Sequence, residues 1–299
     1  MTLPEINHQF STDERCRELL ERLRWPKGLE CPRCHNQKVV RLLTNAKLLW
    51  CGECEYQFGV TVCTIFQDSH LPLATWFMAV LLLCEARKGM SANQIKRTLG
   101  VSYKTAWYLC HRVRAAMVES QQGKLKGVVE MDETYFGGRK RGVTMAEAKA
   151  AKQIVLGIRQ RGGELRFFQA KDVTARTLRE FIEGNVSEDV EMFVTDEFIS
   201  YPYAVRGRYA RKHRTIRHKE RYVNGAVHTN TVENAFSLCK RGVMGTWHKL
   251  SAKHLSAYLK EMSFRFNRRN DDGIFLDTLR HMVAAPTLPF QKLTQNTAA

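Results

Sequence analysis

Three acids, Asp132, Asp196 and Glu233, each sit in a distinct local setting within a basic chain. Asp132 lies in the strand-like run Val128-Val129-Glu130-Met131-Asp132-Glu133-Thr134-Tyr135-Phe136. Asp196 ends the apolar run Val190–Thr195, and Glu233 opens the helical stretch Thr229–Phe236. Carboxylates converging from two strands and a helix are hard oxygen ligands, suited to a pair of Mg²⁺ or Mn²⁺ ions. Such a pair can activate an attacking oxygen and stabilise a leaving one in phosphodiester displacement. The chain holds 30 Asp and Glu, so two plainer readings stay open: an ion pair between Asp132 and an arginine, and a solvated helix acid at Glu233. Three details add to the chemical reading. Gly137-Gly138-Arg139-Lys140 after Asp132 is a flexible basic turn able to approach a phosphate. Val232, Ala235, Phe236 and Cys239 form an apolar face that leaves Glu233 at its border. A basic run over 206–221 lies between the second and third acids.

A second constellation is Cys31-Pro32-Arg33-Cys34 and Cys51-Gly52-Glu53-Cys54, separated by sixteen residues. This is the spacing of a four-cysteine zinc site, and two matched pairs favour a metal over unligated thiols. Four protein ligands leave no open coordination position, so a Zn²⁺ ion here is expected to be structural, replacing the core that so short a segment lacks. Cys16, Cys63, Cys84, Cys110 and Cys239 stand in apolar or helical surroundings and read as packed thiols.

Lys and Arg number 47 against 30 acids, a net charge of +17. Phosphate backbones and anionic membrane surfaces are the partners such a charge favours. The longest apolar run, Trp76–Cys84, has nine residues, whereas a bilayer span needs roughly 20; a membrane protein is not expected. Met1–Asn7 has neither the charged nor the apolar region of a secretory signal, so the chain is expected in the cytoplasm, where cysteines are metal ligands or buried thiols.

The elements that must position these groups follow from periodicity. A helix is expected over 10–24, a ribbon from Trp25 to about Phe66, and an apolar helix after Pro72. Ser91 to Met117 has helix-turn-helix form. Ser91 and Gln94 make a capping-box pattern, Gly100 permits the turn, and Ser102 caps a second helix with Ala106, Leu109, Cys110 and Val113 inward. Tyr103, Lys104, Thr105, Tyr108 and Arg112 then remain to contact DNA in the major groove, although any helical hairpin could carry this pattern. Beyond a linker at 119–124, strands alternate with helices. Gln153–Arg159 and Glu164–Ala170 flank a hairpin turn, Thr174–Ile182 is helical and Val190–Thr195 a strand. A last helix over 251–268 places Leu255, Tyr258, Leu259, Met262 and Phe266 on one face. Asn230 is expected to help cap the helix of Glu233. The domain plan is therefore a terminal helix (1–24), a ribbon (25–66), a helix-turn-helix region (67–118), an α/β domain (125–285) and a loose tail (286–299), a multidomain α+β chain.

From about Trp25 to Arg269 the chain resembles bacterial insertion-sequence transposases of the DDE type that carry an amino-terminal zinc ribbon. The resemblance rests on the paired CxxC motifs, Ser91–Met117, Met131–Lys140, Thr195-Asp196-Glu197 and His228-Thr229-Asn230-Thr231-Val232-Glu233-Asn234. Lys240-Arg241-Gly242, Gly245-Thr246-Trp247-His248 and Phe264-Arg265-Phe266-Asn267-Arg268-Arg269 extend it. It implies an RNase H-like catalytic core with Asp132 and Asp196 as metal-binding aspartates and Glu233 as third acid, with 36 residues separating it from Asp196. It also implies strand cleavage and transfer on double-stranded DNA by a homodimer or larger assembly, with Lys240, Arg241, Arg265, Arg268 and Arg269 on phosphates. A DNA-binding regulator without catalysis and a stand-alone nuclease of the same fold are the rival readings. One departure is Cys63, where a small residue such as Gly is expected and altered packing near the ribbon would follow.

Overall fold

The computed structural model describes residues 2–119, 123–137, 142, 144, 147, 152–216, 225–248 and 250–295. The chain forms two compact units, one from residues 1–118 and 268–299 and the other from residues 119–267.

The first unit opens with two helices where periodicity suggested one. α1 (Leu3–Gln9) and α2 (Asp13–Arg24) are separated because Thr2 and Thr12 each cap their own first turn, Thr12 Oγ1 accepting from Arg15 N. Strands β1 (Val39–Arg41), β2 (Leu49–Cys51) and β3 (Gln57–Phe58) then make an antiparallel ribbon in that order. Its small core is Leu49 and Phe58 beside Cys31 and Cys51. Three helices follow: α3 (Leu73–Glu85), α4 (Ala92–Leu99) and α5 (Tyr103–Ala116). α3 buries Trp76, Phe77, Ala79, Val80, Leu81, Leu83 and Cys84, an apolar surface nearly all round, as expected of a central helix. The turn between α4 and α5 depends on Gly100 at φ +67°, with Ser91 and Ser102 capping the two helices. At Ser91 the bond from Gln94 N is made.

The second unit is a five-stranded sheet: β4 (Val128–Phe136), β5 (Gln153–Gln160), β6 (Leu165–Ala170), β7 (Met192–Thr195) and β8 (His213–Thr215). The strand order is β6-β5-β4-β7-β8. β4, β5 and β6 run antiparallel to their neighbours and β4, β7 and β8 parallel. This fits the RNase H-like core that the resemblance implies. β8 falls inside the basic run and carries no apolar alternation, so its sequence gave no strand signal. Helices α6 (Ala175–Asn185) and α7 (Ser200–Ala204) share a core with Val129, Met131, Leu156, Ile158 and Phe193. α8 (Asn230–Gly242) and α9 (Ala252–Asn267) share another with Val155, Leu165, Phe167 and Phe136. Alternation along β4 therefore sends Val129 and Met131 to one face and Glu130 and Asp132 to the other, the face of α8.

The chain then returns to the first unit. α10 (Ile274–Ala284) buries Ile274, Phe275, Leu279, Met282 and Val283 and packs against α2, α3 and α5. An α/β domain running to 285 is thus corrected: residues from Arg268 onward belong with the amino-terminal unit, because α10 completes that unit's core. The loose tail is corrected likewise, since α11 (Phe290–Thr294) sets the Phe290 ring edge-on to Trp107 and Tyr108. No helix among the described residues is long and apolar enough to cross a membrane.

Candidate active site

The ribbon brings its four cysteines together. The Sγ atoms of Cys31, Cys34, Cys51 and Cys54 all lie within 4.8 Å of one another, with Cys31–Cys54 at 3.6 Å and Cys34–Cys51 at 3.5 Å. A tetrahedral ion with zinc–sulfur bonds of about 2.3 Å holds its sulfurs about 3.8 Å apart, so the cluster fits zinc. The two halves are built alike. His35 N donates to Cys31 O (2.9 Å) and Glu55 N to Cys51 O (3.0 Å), and both residues have a left-handed φ, +59° and +58°.

In the sheet, β4 and β7 are parallel neighbours with Glu130 opposite Val194. Two residues further, Asp132 reaches the level of Asp196, which follows the end of β7. Carboxylate oxygens of Asp132, Glu133 and Asp196 lie within 4.8 Å of one another. Glu233, on the first turn of α8, lies outside that tight group but close enough to act on Asp132 electrostatically. The Asp132 carboxyl is pushed up to about 8, first by burial, then by the charges of Asp196 and Glu133, with a smaller push from Glu233. A cation placed among these oxygens would relieve that crowding, so the hard oxygen set fits a divalent ion. Each acid is also held. Asp132 accepts from Glu133 N (2.8 Å), Asp196 from Phe198 N (3.1 Å) and Glu233 from Thr229 Oγ1 (2.5 Å).

Glu133 is the residue that spacing underrated. Tyr201, fully buried on α7, donates its hydroxyl to Glu133 Oε2 at 2.7 Å. Burial and the nearby carboxylates raise the phenol well above its ordinary range, which keeps it a donor. Next to Asp196, the Thr195 hydroxyl lies 2.9 Å from His213 Nε2. Burial, followed by the charge of Arg214, lowers that imidazole to about 4 and keeps it neutral. Tyr201 is 68 positions from the Glu133 it bonds and His213 is 18 from Thr195, so no local motif could have pointed to these pairings.

Several expected DNA contacts move. Arg112 is corrected: it is 2 % exposed, donates to Gln67 O, and lies over the Trp76 and Tyr108 rings. Its charge suggested an outward position on a helical wheel, but the segment from Gln67 to Trp76 covers it. Arg265 is corrected as well, being 5 % exposed with its Nε 3.2 Å from Glu261 Oε1. Tyr108 donates to Leu288 O (2.5 Å), and Lys104 Nζ stands 4.8 Å from the Phe290 ring. Thr105 shares a hydroxyl contact with Ser102 (2.8 Å), while Tyr103 is half exposed. Lys240, Arg241 and Arg269 are exposed; Arg268 faces Asp277 at 3.9 Å. Arg139, Lys140 and residues 217–221 of the basic run lie outside the described residues. Asn230 is exposed at the start of α8, and the first-turn amides are taken by Glu130 instead.

Comparison with known proteins agrees with this architecture. Residues 124–267 match the model of the ISXO2-like transposase domain, and residues 11–57 that of a transposase zinc-ribbon domain. A relative from Halobacterium salinarum, described as an uncharacterized protein in transposable element ISH50, is 29% identical over 277 residues, covering 86% of this chain and 91% of its own. With a four-cysteine ribbon and an acid-bearing sheet matched in that order by two transposase domains, the chain is similar, domain by domain, to insertion-sequence transposases that carry an amino-terminal zinc ribbon.

Proposed function

We propose that this protein is a transposase that cuts DNA at the terminal inverted repeats of its element and joins the freed ends to target DNA, with Asp132, Asp196 and Glu233 as its catalytic acids. The observation that carries the reading is the meeting of Asp132 and Asp196 on adjacent parallel strands, with further carboxylates beside them. Mg²⁺ or Mn²⁺ held there would supply Lewis-acid stabilisation of an in-line phosphoryl displacement. The residues' own task is to place hard oxygens on fixed elements. Asp132 is anchored at mid-strand, Asp196 at a strand end, Glu233 on a helix, and Glu133 is held by Tyr201. In the first displacement water attacks a phosphodiester at the element end, leaving a 5′-phosphate and releasing a 3′-hydroxyl; in the second that hydroxyl attacks a target phosphodiester, forming a new one as the target's own 3′-oxygen leaves as a hydroxyl.

The ribbon, its zinc held by Cys31, Cys34, Cys51 and Cys54, and the amino-terminal end of α5 with Tyr103, Lys104 and Thr105 would grip the element ends. The exposed Lys240, Arg241 and Arg269 would contact phosphates. Paired ends must be processed together, so the working form is a dimer or larger assembly on DNA in the cytoplasm.

The test is a cleavage and joining assay with labelled element-end duplexes and Mg²⁺ or Mn²⁺. Asp132→Asn, Asp196→Asn and Glu233→Gln should each abolish both steps while retaining end binding, and a double variant should be scarcely worse than a single one. Cleavage without joining by the wild type would favour a stand-alone nuclease. Wild-type activity in all three variants would remove the enzymatic assignment of these acids.

A further inference from the structure

Glu130 is fully buried, yet it faces a dense set of donors. Its Oε2 accepts from Thr231 N (2.9 Å), Thr231 Oγ1 (2.7 Å) and Val232 N (3.1 Å). Those two amides belong to the first turn of α8, where a capping side chain ordinarily supplies the acceptor. Thr229, at the N-cap position, makes no such bond, because its hydroxyl donates to Glu233 Oε1. The cap is therefore delivered from a distant strand. The other oxygen of Glu130 accepts from Arg161 Nε (2.6 Å), with His228 Nδ1 3.3 Å away. Arg161 in turn donates to Ala226 O (2.7 Å) and His228 O (2.9 Å), gripping the chain just before the helix.

The strand that supplies this cap also carries Asp132, two residues on and on the same face, and the helix it caps carries Glu233. We infer that Glu130, clamped by Arg161, is a positioning residue that sets the place of the third acid relative to the first. This rests on the reading of those acids as a divalent-metal site and adds to it a device that holds the site's two halves in register. A negative charge at a helix amino terminus is favourable in itself. Burial at full charge, however, is tolerable only with each oxygen saturated by donors, so the position of α8 is tied to the geometry of those bonds. A side chain of the same size without the charge presents an NH₂ group to N–H donors and cannot reproduce the set.

The test uses the full-length protein and Mn²⁺ alone as probe, with binding read from the electron paramagnetic resonance of free Mn²⁺ and foldedness from circular dichroism. Asp132→Asn and Glu233→Gln report the site itself. Glu130→Gln should weaken Mn²⁺ binding by about tenfold, the scale of lost outer-sphere support, with end binding through the amino-terminal unit kept. Glu261→Gln disrupts another fully buried ion pair in the same unit and should lower the melting temperature without changing Mn²⁺ affinity. Should Glu130→Gln fail to fold, Arg161→Lys serves instead: Arg161 is partly exposed, and lysine keeps the charge but loses the grip on Ala226 and His228. It should weaken Mn²⁺ binding in the same direction. If Asp132→Asn and Glu233→Gln lose affinity while the folded Glu130→Gln or Arg161→Lys binds as the wild type does, the positioning role is overturned and the metal site stands. If Asp132→Asn binds Mn²⁺ normally, the metal site itself is wrong and the positioning role falls with it.

Discussion

Cys63 holds a φ of +59° with its side chain exposed and its amide donating to Gln67 Oε1 at 2.6 Å. The expectation of a small residue here has its reason in the backbone: a left-handed conformation brings Cβ against the following carbonyl, which glycine avoids. Altered packing is not the consequence, because the thiol faces outward. Cys63→Gly should accordingly stabilise the amino-terminal unit by about 1 kcal/mol, less the extra chain entropy of glycine, visible as a small rise in the denaturation midpoint with no change in zinc content. At this scale the sequence was informative where residue type alone carries chemistry. Paired cysteines announce a metal, and an aspartate within an apolar strand announces a task. It was uninformative about Glu130, Tyr201 and His213, whose roles arise from partners 101, 68 and 18 positions away.

Gly157 stands opposite Asp132 in the β4–β5 register, and a Cβ placed on it would come within 2.6 Å of the Phe236 ring. Its smallness allows α8 to lie close on the sheet, and Phe236 sits one helical turn beyond Glu233. Gly157→Ala should therefore push that helix outward, costing about 1–3 kcal/mol as overpacking. Cleavage should fall as well, because Glu233 moves with the helix. Thermal unfolding and a strand-cleavage rate on the same preparation check both parts; full activity at wild-type stability would show that the helix has room to spare.

Most elements were legible from their period: α3, α4, α5, β5, β6, α6 and α9 stand within a few residues of where apolar spacing put them. β8 was hidden by its charge. The outward face of α5 was misjudged at Arg112 because what covers that side chain comes from Gln67 to Trp76, a segment that no local window includes.

At the scale of the molecule, each unit has its own core, and the ribbon has a small one of its own in which Leu49 and Phe58 lie beside Cys31 and Cys51. Cys34→Ser should release the zinc, weaken element-end binding and leave the unfolding transition of the α/β unit in place, as metal analysis and calorimetry on the purified variant would show. Zinc-free wild-type protein with normal end binding would contradict it. The chain path carries a further consequence. α10 buries five apolar side chains against helices laid down near the beginning of the chain, and the whole α/β unit is threaded between them. On the ribosome, α2, α3 and α5 emerge early but must wait with their apolar faces open until α10 is made. The α/β unit, complete by Asn267, can fold first although it is encoded second. A nascent or truncated chain lacking α10 would thus carry a finished α/β fold and an unclosed amino-terminal core, so that any grip on DNA proposed for the amino-terminal unit would await the synthesis of α10.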